Sequence, residues 1–297
     1  LGSQVGSAAP YGGRYPSASL VYNGVWYYGT YALDDLYWGD QDCSWCTMGP
    51  FVGFRLSHDK GKSWVDCPRT PDNNLFGESS KGGGKIKMGA PHFVDFGQNM
   101  EHSPDGNAYL VAHGATRRDA SESWIDGDQI YMARVKPSPD TINDPSKYEF
   151  FAGYDEGNRP KWSGSFADIR PLVEWNGHMG IVTMTYDPPL KRFLMCIADG
   201  RGRGTYNTYI LESDQVAGPW SLVTYMQKFG EQGYFVNIPS KFISRDGRTA
   251  WLCFSHNWTR DQKTNPPGGR YGLCLQEIKL PQGTTEGIPP MEPVPVR

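Results

Sequence analysis

Short runs in which apolar and polar residues alternate recur along the whole chain, bounded by Gly, Asn, Asp and Pro. Almost no stretch keeps the 3.6-residue period of an amphipathic helix, so the pattern predicts strands and loops throughout. The runs also return in a fixed order: an apolar strand, a tight turn, an aromatic-rich strand, a loop, then a strand ending near a Trp or Phe. The first copy comprises residues 19–22, the turn Asn23-Gly24, residues 25–31, 51–57 and Trp64-Val65. Asn-Gly suits a type I′ hairpin, in which both central residues take positive φ. The second copy comprises 90–95, the turn 104–107, then 108–113, 129–135 and 148–151. The third comprises 180–186, the turn 187–189, then 192–197, 208–212 and 220–222; the fourth comprises 239–244, Asp246-Gly247, then 250–255 and 272–278.

That recurring order is the signature of propeller blades. Residues 162–175 and the two termini are expected to furnish a fifth, because at about 50 residues per four-stranded sheet the length fits five blades better than six or seven. A two-sheet sandwich explains the alternation equally well, but not the return of the same strand order. The predicted fold class is therefore all-β, a five-bladed β-propeller, with one domain over residues 1–286 and a Pro-rich tail over 287–297.

Composition narrows the partners. Charged residues make up 21% and the net charge is only -3, so no field of one sign is available to hold nucleic acid or an acidic membrane. The longest uncharged apolar stretches, such as 179–185, fall far short of the roughly 20 residues of a membrane-spanning helix. A monomer acting on carbohydrate is expected. The chain opens on Leu1, as in a mature form whose leader has been removed or a chain trimmed at its start. Six cysteines, an even number, and the sequon Asn257-Trp258-Thr259 favour secretion and glycosylation. Cys43, Cys46 and Cys67 sit in or beside loops, where a disulfide would tie down an insertion. Cys43-x-x-Cys46 has the spacing of half a zinc site, but no second half follows. Cys253 and Cys274 lie in runs that read as neighbouring strands and form the pair to test first for a bridge; buried free thiols are the alternative.

Ser57-His58-Asp59-Lys60-Gly61-Lys62-Ser63-Trp64 fits the Asp-box pattern Ser-x-Asp-x-Gly-x-Thr/Ser-Trp at every defined position. Asp59 and Ser63 would satisfy backbone donors in a tight turn, Gly61 would take positive φ, and Trp64 would pack back between sheets. The box resembles that of sialidases, as Arg14-Tyr15-Pro16 resembles their Arg-x-Pro motif, although one box and no full arginine triad are present. Taken with the blades, the chain resembles the five-bladed propeller glycoside hydrolases of the arabinanase and β-xylosidase type. That resemblance implies a glycosidase, and leaves retention or inversion open.

Glycoside hydrolysis calls for two carboxyl groups flanking the bond, about 5–5.5 Å apart for retention or about 6.5–9.5 Å for inversion. In a propeller they come from the ends of first strands in different blades. Asp34 and Asp35, followed by Trp38, Asp40 and Asp42, leave an aromatic strand and are candidate catalytic acids. The same aspartates are also a candidate structural Ca²⁺ site or a solvated loop, and no other cofactor is expected. Glu101 beside His102 forms a candidate acid with an orienting partner, in a segment that also reads as a surface turn, with Lys87, His92 and His113 on adjacent strands. Asp168 with Arg170, among apolar residues near Trp162, is either a structural ion pair or part of a cleft. Glu231 and Asn237 are candidates for sugar hydroxyls and Arg14 for substrate binding, while Tyr15, Trp38, Trp162 and Tyr234 are candidate platforms for a sugar ring.

Two other functions fit the same pattern. A non-catalytic sugar-binding propeller would lack convergent carboxylates. A polysaccharide lyase would use a His or Tyr base and a neutralising Arg, for which His92, His113 and Arg14 are available. Serine hydrolase chemistry is disfavoured by the absence of a Gly-x-Ser-x-Gly elbow, and phosphate binding by the lack of Lys-Ser/Thr after Gly82-Gly83-Gly84.

Overall fold

Asn23 and Gly24 both adopt positive φ, 49° and 78°, and close the first hairpin as the dipeptide requires. The computed structural model describes residues 11–34, 47–81, 85–115, 126–175, 177–200, 206–229, 233–256 and 272–280. Strands β1 (Tyr11–Tyr22), β2 (Val25–Asp34) and β3 (Thr47–Ser57) form the first antiparallel sheet. The second holds β4 (Gly89–Phe93), β5 (Ala108–Gly114), β6 (Gln129–Val135), β7 (Glu149–Tyr154) and β8 (Pro160–Ser163), with β9 (Val173–Glu174) paired to β6. The third is β10 (Val182–Asp187), β11 (Arg192–Asp199), β12 (Asn207–Ser213) and β13 (Ser221–Met226); the fourth is β14 (Tyr234–Asn237), β15 (Thr249–His256) and β16 (Gly272–Lys279).

The first strand of each sheet stands beside the first strand of the next. Ser17 Oγ on β1 donates to Pro91 O on β4, and Asn23 N donates to Asn99 Oδ1 at 2.7 Å one end further on. Asp95, just past β4, pairs in parallel with Thr185 on β10. Thr183 Oγ1 and Thr185 Oγ1 then donate to Val236 O and Ile238 O at 2.7 and 2.6 Å, at β14. Four parallel inner strands, each leading an outward meander, make a β-propeller; among the described residues four sheets are present.

Period-two alternation explains the packing between sheets. On β5, Leu110 and Ala112 face the first sheet and join Tyr27, Phe51 and Phe54, whereas Tyr109 and Val111 face the third and join Met184 and Met195. Both faces are covered, so every residue of β5 is buried and its sequence reads as a continuous apolar run. A third cluster joins Leu194, Cys196 and Ile210 to Val236, Leu252 and Phe254 of the fourth sheet. Each such side chain contributes about 1.5–3 kcal/mol when fully buried.

Several expectations are corrected. The inner strand of the fourth sheet is β14 and not residues 239–244, which instead contain a 3-10 turn at Ser240–Phe242. Pro239 has no N–H to give a ladder, and the Asp95 carboxylate captures both Ser240 N and Ser240 Oγ at 2.8 Å. Residues 162–175 do not begin a separate sheet: β8 and β9 both join the second. Cys253 and Cys274 do lie on neighbouring strands, but Cys253 stands opposite Leu275 and Cys274 opposite Phe254, so the two point to opposite faces. Both are free thiols, as are Cys67 and Cys196. Cys43, Cys46 and the sequon at Asn257 lie outside the described residues.

In the Ser57–Trp64 turn, Ser63 N and Oγ donate to the Asp59 carboxylate at 2.8 and 2.6 Å, and Gly61 has φ 85°. These bonds lower the Asp59 pKa to about 2. Trp64 packs on its own sheet, 5.1 Å from Trp26 and 5.6 Å from Tyr28, and not between sheets. No helix among the described residues is long and apolar enough to cross a membrane.

Candidate functional site

The parallel inner strands give the propeller two unlike ends. Towards their C-terminal ends lies an axial cavity of about 770 Å³, lined from all four sheets by residues including Ser17, His92, Asp95, Thr183 and Asn237. Three of its polar groups are already engaged by neighbouring sheets: Ser17 with Pro91, Asp95 with Ser240, Thr183 with Val236. His92 is held neutral, its pKa pushed down to about 4 by burial and by the neighbouring His113. No tryptophan lines this cavity and its one carboxylate is Asp95, so the expected tryptophan-walled funnel with convergent acids is not here.

Acidic and aromatic groups collect at the opposite end. β6 begins with Gln129, and the register places Gln129 across from Glu174, the last residue of β9. Gln129 Nε2 donates to Glu174 Oε2 while Tyr131 OH donates to Gln129 Oε1, so an exposed carboxylate is oriented by a buried amide. Gln129 and Tyr131 share a face because they are two apart on the strand. In the third sheet, β11 ends at Asp199, which is 2% exposed. Its Oδ2 lies 2.8 Å from Nδ1 of His178, ahead of β10, and accepts from Tyr209 OH at 3.2 Å. The Trp175 ring covers His178 with centroids 4.2 Å apart and meets Tyr209 at 5.2 Å. Burial and the Asp199 charge hold the Tyr209 phenol well above its ordinary pKa.

Glu78 underpins the same end. Its carboxylate accepts Lys87 N and Met88 N at 2.6 and 3.1 Å, immediately before β4. Burial pushes its pKa up to about 7.

The residues expected from sequence divide between these places. Arg14 and Tyr15 lie on β1 opposite Ala32 and Tyr31, with Tyr15 45% exposed. Asp34 ends β2 at the acidic end, paired with Tyr11; His113 is buried on β5 and Tyr234 opens β14. His92 and Asn237 meet in the axial cavity. Glu101 and His102 lie at the opposite end from the acidic groups, in an exposed turn with 3.9 Å between Oε1 and Nε2, and Glu101 Oε1 accepts Gln98 N. Trp162 packs under the Arg134 guanidinium at 4.2 Å on the outer part of the second sheet. Asp168 and Arg170 are exposed nearby and form no ion pair: Asp168 accepts Ser163 Oγ at 2.6 Å and Arg170 donates to Ile169 O. Asp35, Trp38, Asp40, Asp42 and Glu231 lie outside the described residues.

Sequence reasoning missed Glu78, Gln129, Glu174, Trp175, His178 and Asp199. Gln129 and Asp199 carried a signal, a polar residue at the very start or end of a buried run; Glu78, Glu174, Trp175 and His178 carried none. No group of His, Cys, Asp and Glu able to hold a metal ion occurs among the described residues.

No family model and no curated protein matches the chain. Solved structures do resemble it. A putative hydrolase from Bacteroides ovatus ATCC 8483 has a TM-score of 0.47 at 15% identity, over 88% of this chain and 60% of that one. An alpha-L-arabinofuranosidase from Clostridium thermocellum ATCC 27405 has a TM-score of 0.46 at 12% identity, over 89% and 68% of the two chains. The endo-arabinase from Bacteroides thetaiotaomicron VPI-5482 has a TM-score of 0.44 at 15% identity, over 95% and 80%. The chain thus spans less than two thirds of the length of the first of these.

Proposed function

We propose that the chain is a secreted glycoside hydrolase acting on a poly- or oligosaccharide at the end of the propeller where the inner strands begin. The observation that carries this reading is an exposed, oriented carboxylate beside an aromatic surface shared with the next sheet: Glu174, held by Gln129, stands next to Trp175, whose ring covers His178 ahead of β10. An exposed carboxylate beside an indole can face a glycosidic bond while the indole plane takes the apolar face of the sugar. Glu174 is assigned the carboxylate that activates water, because it is exposed and its orientation is fixed by Gln129. The second carboxylate, which offsets positive charge at the reacting carbon, is assigned from the sequence to Asp34 or Asp35.

Chromatographic screening of plant, fungal and bacterial cell-wall glycans tests the reading. Product release should fall by about 10²-fold or more in Glu174→Gln, the usual loss for an acid or base, and stay near the original level in Asp168→Asn. Loss in Asp168→Asn with Glu174→Gln fully active would move the site to the outer strands of the second sheet. Sugar binding without hydrolysis of any glycan would leave the non-catalytic lectin-like alternative.

A further inference from the structure

Cleavage of a glycoside needs a proton for the departing oxygen, and the acidic end holds a group built to give one. We propose that His178 is the proton donor of this site and that Asp199 is its positioning residue; the assignment rests on the glycosidase reading above. Three observations carry it. Asp199 Oδ2 binds Nδ1 at 2.8 Å from a position 2% exposed, which fixes the ring plane and turns Nε2 away from the carboxylate. His178 itself is 32% exposed, so its second nitrogen, Nε2, is the one left to meet a ligand. Trp175, 4.2 Å away at 31°, closes one side of the ring and offers a neighbouring plane to a sugar.

The step balances as follows. The anomeric carbon–oxygen bond breaks, its electron pair goes to the leaving oxygen, and that oxygen takes the proton from Nε2. Water adds to the anomeric carbon and loses its proton to Glu174, and exchange with solvent returns a proton to the imidazole. An imidazole donor leaves the Glu174 carboxylate free for the water. Asp199 and Trp175 face the imidazole, and Tyr209 OH donates to the same Asp199 oxygen that holds Nδ1.

The test compares leaving groups in the full chain. With the glycan identified by screening, His178→Gln should lose about 10²–10⁴-fold in kcat, the usual size of an acid contribution. With the 4-nitrophenyl glycoside of the same sugar, whose leaving group departs without a proton, the loss should stay below about tenfold. Asp199→Asn should lower kcat on the glycan with KM little changed and largely spare the 4-nitrophenyl glycoside, because the ring loses the contact that holds its plane. Equal losses on both substrates, with unfolding midpoints unchanged, would overturn the donor role in favour of binding. A fully active His178→Gln would overturn it while leaving the glycosidase reading intact. Absence of hydrolysis by the unaltered protein would overturn both.

Discussion

Replacing Glu78 with Gln probes a carboxyl group whose burial works against its charge. In the folded chain both oxygens accept backbone N–H groups, from Lys87 and Met88, yet burial still raises the pKa from 4.5 to about 7. Between those values the native state keeps a proton that the unfolded chain has released, so stability falls as pH rises through the window. At about 1.4 kcal/mol per pH unit the full effect is about 3 kcal/mol, present once both states are ionised above pH 7. Gln cannot ionise, so this share of the pH dependence should vanish. Gln also turns an N–H₂ toward one of the two backbone donors, which costs about 1–3 kcal/mol at any pH. The variant should therefore be less stable than the original at pH 5, and the gap should close or reverse by pH 8. Urea unfolding followed by tryptophan fluorescence at pH 5, 6, 7 and 8 measures it. Parallel stability curves for the two proteins would refute the claim that Glu78 is protonated in the fold.

Two further substitutions test the frame. Asp95→Ala removes an acceptor for Gly97 N, Ser240 N and Ser240 Oγ; at about 1 kcal/mol for each bond it should cost about 3 kcal/mol and lower the urea midpoint by about 1 M. A shift within error of zero would mean the tie between second and fourth sheets is not needed. Asp59→Ala should lower the thermal midpoint at pH 7, and because the Asp59 pKa is depressed from 3.8 to about 2, the difference from the original should narrow as pH falls through that range. A difference that is constant with pH would sink the charge-assisted account of the turn.

Strands buried on both faces were legible in the sequence because their apolar runs are bounded by turn residues with defined φ. β5, β6, β11 and β12 each fall within two residues of expectation, as does β15, which is buried on one face only. The fourth inner strand was misplaced because residues 239–244 carry an apolar pattern, and the Asp95 carboxylate that bends them away is 145 residues distant. The site was legible only in part for the same reason. Charged pairs that are close in sequence, such as Glu101 with His102 and Asp168 with Arg170, stand out in the pattern but lie in local surface turns. The groups that do meet are isolated in sequence and joined by register: Glu174 reaches Gln129 from 45 residues away, and His178 and Asp199 sit at the open end of the β10–β11 hairpin, 21 residues apart.

The inner strands hold their neighbours by side chains reaching forward, from Ser17 to Pro91, from Asp95 to Ser240 and from Thr183 to Val236. Covalent continuity is then not what keeps adjacent sheets in place. A protease nick in the exposed turn at Glu156-Gly157-Asn158 would divide the polypeptide within the second sheet, yet the two pieces would stay clasped and migrate as one particle until denaturant was added.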